Sequence, residues 1–245
     1  MLKPSFIKIA GVLLGSLMLV ACAANADDLS RDDVEQIVRD YILENPEIIS
    51  DAIHILQERA ENEQAAQQAA ALTELQGALF TNDLDPIGGN PDGSLTLVEF
   101  FDYNCGYCKR SNSVLQALIA DNPNLRVVYK EWPILSETSA LAARVALAVN
   151  LKQPEYYEAL HRAFLEASSL RSEKDVWNVV KKVGADRAII EPALRAPEVE
   201  QHLQQTSVLA QQLGITGTPA FIVGDQVLKG AYPQEQIQQA IDSQS

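Results

Sequence analysis

Apolar positions change rhythm several times along this chain. The first continuous run, IAGVLLGSLMLV at residues 9 to 20, follows Lys3 and Lys8. It is too short to span a bilayer comfortably and has a basic start, so it reads as a secretory signal rather than an anchor helix. Beyond it the spacing turns helical: Val34, Ile37, Val38, Tyr41 and Ile42 recur at three and four residues, and Ser30 with Asp33 resembles a capping box. Asn45-Pro46 breaks that helix. A second begins near Pro46 and meets no breaker before Gly77, with Ile49, Ile53, Leu56, Ala60, Leu72, Leu75 and Leu79 on or near one stripe. About thirty residues at 1.5 Å rise extend roughly 45 Å, too far to be covered by one small domain. Its middle, ENEQAAQQAAA, is polar and Ala-rich. Residues 27–80 therefore form either a solvated spacer or the stalk of a homo-dimer or trimer whose apolar ends meet those of other protomers.

TNDLDPIGGNPDGS, residues 81–94, concentrates turn residues and marks a linker. The pattern then turns to strands. LTLVEFF reads as one, CGYC and SNSVLQALIAD continue as a helix, and NLRVVYKEWPIL reads as a second strand. From Ser136 to about Leu213 the chain is helical almost throughout, its segments separated by Pro or Gly. TPAFIVGDQVLKG predicts two short strands around Gly224-Asp225, and PQEQIQQAIDS a last helix from Pro233. A strand-helix-strand unit implies a parallel crossover, with the late hairpin added antiparallel to the same sheet, which makes this an α/β chain.

Charge and cysteine count narrow the function. Lys+Arg 19 against Asp+Glu 33 gives a net charge of -14, which disfavours a nucleic-acid groove or an anionic lipid surface as the main partner. Two processing sites compete at the end of a signal peptide covering 1–26. Ala24-Asn25-Ala26 suits ordinary signal peptidase, whereas Leu19-Val20-Ala21-Cys22 resembles a lipobox that would leave a lipid anchor on Cys22. In the second case, Ala23 resembles the sorting residue of outer-membrane lipoproteins. Either route implies an oxidising compartment. Of Cys 3, two remain beyond Cys22, so there is no cysteine for a framework disulfide or a four-cysteine zinc site.

Cys105 and Cys108 stand at i and i+3 at the start of a helix, within the separation a disulfide accepts. Cys105 would meet unpaired N–H groups and the positive end of the helix dipole, which lower a thiol pKa from about 8.5. Cys108, one turn in, should be more buried and protonated. Such a pair can also be half of a zinc site, a copper site or a structural disulfide. His54, His161 and His202 lie on separate helices without ligand spacing and read as helix-surface residues, so no metal site is assembled from them. No Gly-rich phosphate loop or HExxH motif is present, and the chemistry calls for no cofactor. Phe100 and Phe101 read as core, and Tyr107 as apolar surface offered to unfolded chains.

The order VEFF, CGYC, helix, and a later GTPAF at Gly217 to Phe221 resembles the thioredoxin superfamily, and the long helical block resembles its DsbA-like branch. The resemblance covers about residues 87–243. It implies a thioredoxin fold over 95–245 with a helical insertion at about 136–213. It also implies a cis Thr218-Pro219 bond facing the cysteines, where neighbouring backbone groups are free to pair with a client segment. Glu99 matches the position of a buried acid that shuttles the proton of Cys108. Lys130 matches a cation on the next strand, although Glu131 adjoins it and the register is open. Gly106-Tyr107 sets the redox poise: Tyr107 carries no charge, unlike the His of the strongest oxidants, and Gly-Tyr resembles periplasmic disulfide isomerases. Helix-tethered DsbA-like proteins, among them bacterial surface antigens and copper-stress proteins, are similar over the whole chain.

The expectation is an exported thiol-disulfide oxidoreductase, an isomerase or mixed isomerase and oxidase. It would act on unfolded or misoxidised envelope proteins with a membrane redox partner, in the periplasm, soluble or anchored to the outer membrane. The alternative is a lipid-anchored envelope or surface binding protein that holds Cu(I) between the two sulfurs.

Overall fold

The computed structural model describes residues 30–244, so the expected signal peptide, Cys22 and both processing sites lie outside the described residues. The chain divides into two units, one ending at Ala60 and one from Glu61 onward.

In the first unit, α1 (Arg31–Glu44) starts from the capping box that Ser30 and Asp33 form reciprocally, and Asn45 closes it. α2 (Glu47–Glu74) begins after Pro46 and crosses the boundary between the units. The apolar stripes of both helices are unsatisfied within the unit: Val34, Ile37, Val38 and Tyr41 on α1 and Ile49, Ile53 and Leu56 on α2 are all exposed.

In the second unit, the end of α2 and α3 (Gln76–Phe80) bring Leu72 and Leu79 into a core cluster with Val98, Phe100, Val128, Leu209 and Ile222. From Gln68 onward the helix therefore packs on this unit, while residues 61–67 are exposed, so the last part of the expected 27–80 arm is held by the second unit. The 81–94 segment likewise holds more than a linker. Within it β1 (Ile87–Gly89) pairs antiparallel with β3 (Leu125–Glu131). The glycines that suggest a turn have a packing reason, since a Cβ on Gly88 would stand 2.6 Å from the Tyr129 hydroxyl.

β2 (Leu95–Phe101) is central, buried on both faces from Leu97 onward, as expected of a strand with a parallel neighbour. It runs parallel to β3 through the crossover helix α4 (Gly106–Asp121) and antiparallel to β4 (Ala220–Val223), which β5 (Gln226–Lys229) extends, giving the order β1-β3-β2-β4-β5. Period-two alternation splits the interior. Leu97, Phe101, Val127, Tyr129, Phe221 and Val223 face the cysteine side. Val98, Phe100, Val128, Ala220 and Ile222 face the α3 side.

The insertion comprises α5 (Glu137–Lys152), α6 (Tyr157–Glu166), α7 (Glu173–Val183), the short α8 (Arg187–Ile190) and α9 (Pro197–Gln212); α10 (Gln234–Asp242) ends the chain. The expected thioredoxin fold with an inserted helical block is the observed one.

Two of the three histidines are corrections. His161 and His202 are buried, whereas His54 is exposed. His161 lies four residues after Tyr157 and three before Phe164, and His202 three after Val199 and four before Thr206, so both sit on the inward stripes of their helices. Burial holds them neutral, near 3 for His161 and about 4 for His202.

Candidate active site

The turn after β2 carries Asp102, Tyr103, Asn104 and then Cys105, which occupies the N-cap position of α4 without a side-chain cap. Helix N–H groups left open there face the sulfur. Both cysteines are free thiols, with Cys108 fully enclosed and Cys105 the less buried of the two. The sulfurs are unequal. A hydrogen bond from the Cys108 thiol, aided by the Thr218 hydroxyl and the N–H groups of Cys108 and Tyr107, outweighs burial and brings Cys105 down to about 5. Burial, and then that same bond to Cys105, drives Cys108 far above the ordinary thiol range.

Opposite the sulfurs, the Thr218-Pro219 bond is cis, and the Cys105 thiol donates to the Thr218 carbonyl at 3.3 Å. Tyr107 is 59% exposed, with the Arg110 guanidinium 4.3 Å above its ring. Nothing in the packing demands glycine at Gly106, whose Cβ would meet only Arg110 Nη1 at 3.7 Å.

Glu99 lies on the cysteine face of β2, 1% exposed, and neither carboxylate oxygen has a hydrogen-bond partner. Burial, and then the Cys105 charge, raise it to about 8. The cation expected beside it is absent from this face. Glu99 is in register with Tyr129 and Phe100 with Lys130, so the pleat turns Lys130 to the opposite side. There Lys130 is fully buried, pairs with Asp85 and donates to the Ala78 carbonyl at 2.6 Å. His202 Nε2 stands 3.3 Å from Asp85 Oδ1. On the cysteine face the neighbour is Glu131, whose Oε1 accepts from Tyr103 at 2.9 Å and Tyr157 at 3.1 Å. His161 Nδ1 lies 3.1 Å from the Tyr103 hydroxyl. Burial holds the Glu131 carboxyl well above the usual range, against the pull of the two tyrosines.

Sequence reasoning missed Asp102, Asn104 and Lys109, which bracket CGYC and reach into the insertion. Asn104 accepts from the Leu170 N–H at 2.9 Å and donates to Ser136 and Ser139. The Lys109 ammonium caps the Ala167 carbonyl at the end of α6. Short polar residues in a turn carry little signal beyond the turn itself.

Comparison with known proteins agrees with this geometry. Residues 96–242 match the family model described as a DSBA-like thioredoxin domain, and residues 31–63 match the copper resistance protein ScsC N-terminal domain. The thiol:disulfide interchange protein DsbA of Bordetella parapertussis is 28% identical over 163 residues, covering 63% of this chain and 76% of the relative. A thioredoxin-like oxidoreductase from Silicibacter pomeroyi DSS-3 superposes with a TM-score of 0.67 at 44% identity, covering 69% of this chain and 96% of that one. Proteus mirabilis ScsC in a transitional conformation gives 0.67 at 32% identity, covering 91% and 97%.

Proposed function

The chain belongs to the DsbA-like thioredoxin family and is a thiol-disulfide oxidoreductase of the DsbA and ScsC type, and from that premise we propose that CGYC is its exchange centre and that it works chiefly as an isomerase. The observation that carries the reading is the placement of the two sulfurs: Cys105 stands at the N-cap of α4 against the cis Thr218-Pro219 bond, and Cys108 is fully enclosed one turn on, which leaves one sulfur acidic and the other protonated.

The Cys105 thiolate attacks a client disulfide. An S–S bond forms to one client sulfur, and the other leaves as a thiolate. In an isomerisation, a client thiolate then attacks the mixed disulfide and regenerates Cys105. In a reduction or escape, Cys108 attacks Cys105 Sγ and the client leaves. Cys108 must first lose its proton, and Glu99 is the acceptor. With Cys105 bound in a mixed disulfide its charge is gone, so the carboxyl of Glu99 ionises more readily and can take that proton. Thr218 and Pro219 offer backbone groups to the client segment, and Gly106 and Tyr107 form the rim it crosses.

The exposed apolar stripe of α1 and α2 supports assembly into a dimer or trimer, which would bring several sulfurs to one client. Export to the periplasm, with or without a lipid on Cys22, and a membrane partner that keeps the pair reduced complete the reading. A Cu(I) carrier has the copper-resistance name of the 31–63 match in its favour, but the unequal sulfurs suit nucleophile and resolver better than two like ligands. Cys105→Ala should abolish both insulin reduction and the refolding of scrambled ribonuclease. Undiminished activity in that variant, or tight stoichiometric Cu(I) binding with negligible exchange by the native protein, would overturn the reading.

A further inference from the structure

At the edge that carries the cysteines, β2 lies between two flanks. The start of β4, with Thr218-Pro219, is on one side and the end of β3 on the other. A mixed disulfide holds its sulfurs about 2 Å apart, so a client bonded to Cys105 is drawn close to both. On the β3 flank, the loop of residues 132–136 leaves Ile134 43% and Leu135 54% exposed. Among the described residues from Glu61 onward, the exposed large apolar side chains are Tyr107, Ile134, Leu135, Ile189 and Val208. Three of these five border the cysteine turn.

One buried side chain holds that loop. Asp102 Oδ2 accepts from the N–H groups of Ile134 at 2.8 Å and Leu135 at 3.0 Å, and Oδ1 from Asn104 at 2.7 Å. The Asp102 carbonyl accepts the Cys105 N–H at 3.0 Å. Asn104 adds a bond to Ser136 Oγ at 3.3 Å, at the N-cap of α5. Three backbone donors converging on one carboxylate are charge-assisted and fix the backbone they come from. The loop and the cysteine turn thus move as one piece, and the exposure of Ile134 and Leu135 is held in place.

Given the reading of Cys105 as the sulfur that bonds to clients, we infer that Ile134 and Leu135 form a specificity-determining shelf for a bulky apolar residue beside the client cysteine, with Asp102 as the positioning residue that locks this shelf to the cysteine turn. The partner is a cysteine-bearing extended segment with an aliphatic or aromatic neighbour on one side.

The test uses the full chain, reduced, with two symmetrical peptide disulfides whose cysteines are flanked by leucine or by serine. Cys105 displaces one peptide thiolate, and Cys108 closes the protein disulfide and releases the other. The readout is the ratio of the two second-order rate constants within each variant. Covering one partly exposed aliphatic side chain supports a preference of about tenfold for the leucine peptide. The ratio should fall toward one in the Ile134→Ser/Leu135→Ser double variant. It should also fall in Asp102→Asn, which keeps both shelf side chains; a purely structural role for Asp102 would slow both peptides alike and leave the ratio unmoved. A native ratio near one, or a ratio that survives the double variant, overturns the shelf, and a ratio that survives Asp102→Asn overturns the positioning role. Failure of the underlying reading looks different, since neither peptide would then exchange with the native protein.

Discussion

Cys105 owes its acidity to what points at it. Its alkylation by iodoacetamide should therefore follow a titration centred near pH 5, where an ordinary thiol would turn reactive near 8.5. The linkage sign follows from the same inequality. Between about pH 5 and 9 the folded protein carries a thiolate where the unfolded chain carries a thiol, so the unfolded state binds more protons and stability rises with pH. The stability gap between the reduced protein and Cys105→Ser, measured in denaturant, should widen across that window and vanish below it. Glu99→Gln removes the proton acceptor while keeping the shape, and should slow resolution of the mixed disulfide about 100-fold in single-turnover quench experiments. The cysteines were readable because their spacing is local, one helical turn, whereas Glu99 was legible only through the family resemblance. Lys130 and His161 were not. Which face a strand residue takes depends on register, and which face a helix buries depends on its partners; single residues show neither.

At the scale of elements, the strands and the insertion were legible from period and breakers, and β2 has the bounds that LTLVEFF suggests. β1 was hidden, because Gly88 serves close packing against Tyr129 rather than a turn. The buried pair that joins β3 to the 81–94 segment was hidden too, since Asp85 looks like any loop acid. Arg126 and Lys130, four residues apart on β3 and so on the same face, donate to the Phe80 and Ala78 carbonyls, so one strand satisfies the end of α3. Lys130→Ala would leave Asp85 buried and unpaired, and should cost about 3–5 kcal/mol in denaturant unfolding. Its Cys105 alkylation profile should stay where it is, because Lys130 faces away from the sulfurs; a shifted profile would mean the cation serves the cysteines after all.

For the whole molecule, the assembly argument rests on the N-terminal unit. Ile49→Glu/Ile53→Glu should lower the mass found by sedimentation equilibrium to that of one chain. Scrambled-ribonuclease refolding should fall with it, while simple dithiol oxidation persists or rises. An unchanged mass would make the helices a spacer. Truncation belongs at residue 60 rather than 80, because Leu72 and Leu79 are core residues of the second unit. Sequence alone suggested the longer arm because α2 reads as one helix from end to end, and nothing in its period says where its surroundings change.

The sheet separates two kinds of work. Groups at the start of α4 and at Thr218 set the acidity of a sulfur, and Lys130, on the far side of the sheet, grips the helix by which a handle is attached. The handle can thus be lengthened, shortened or replaced without retuning the appetite of Cys105 for electrons.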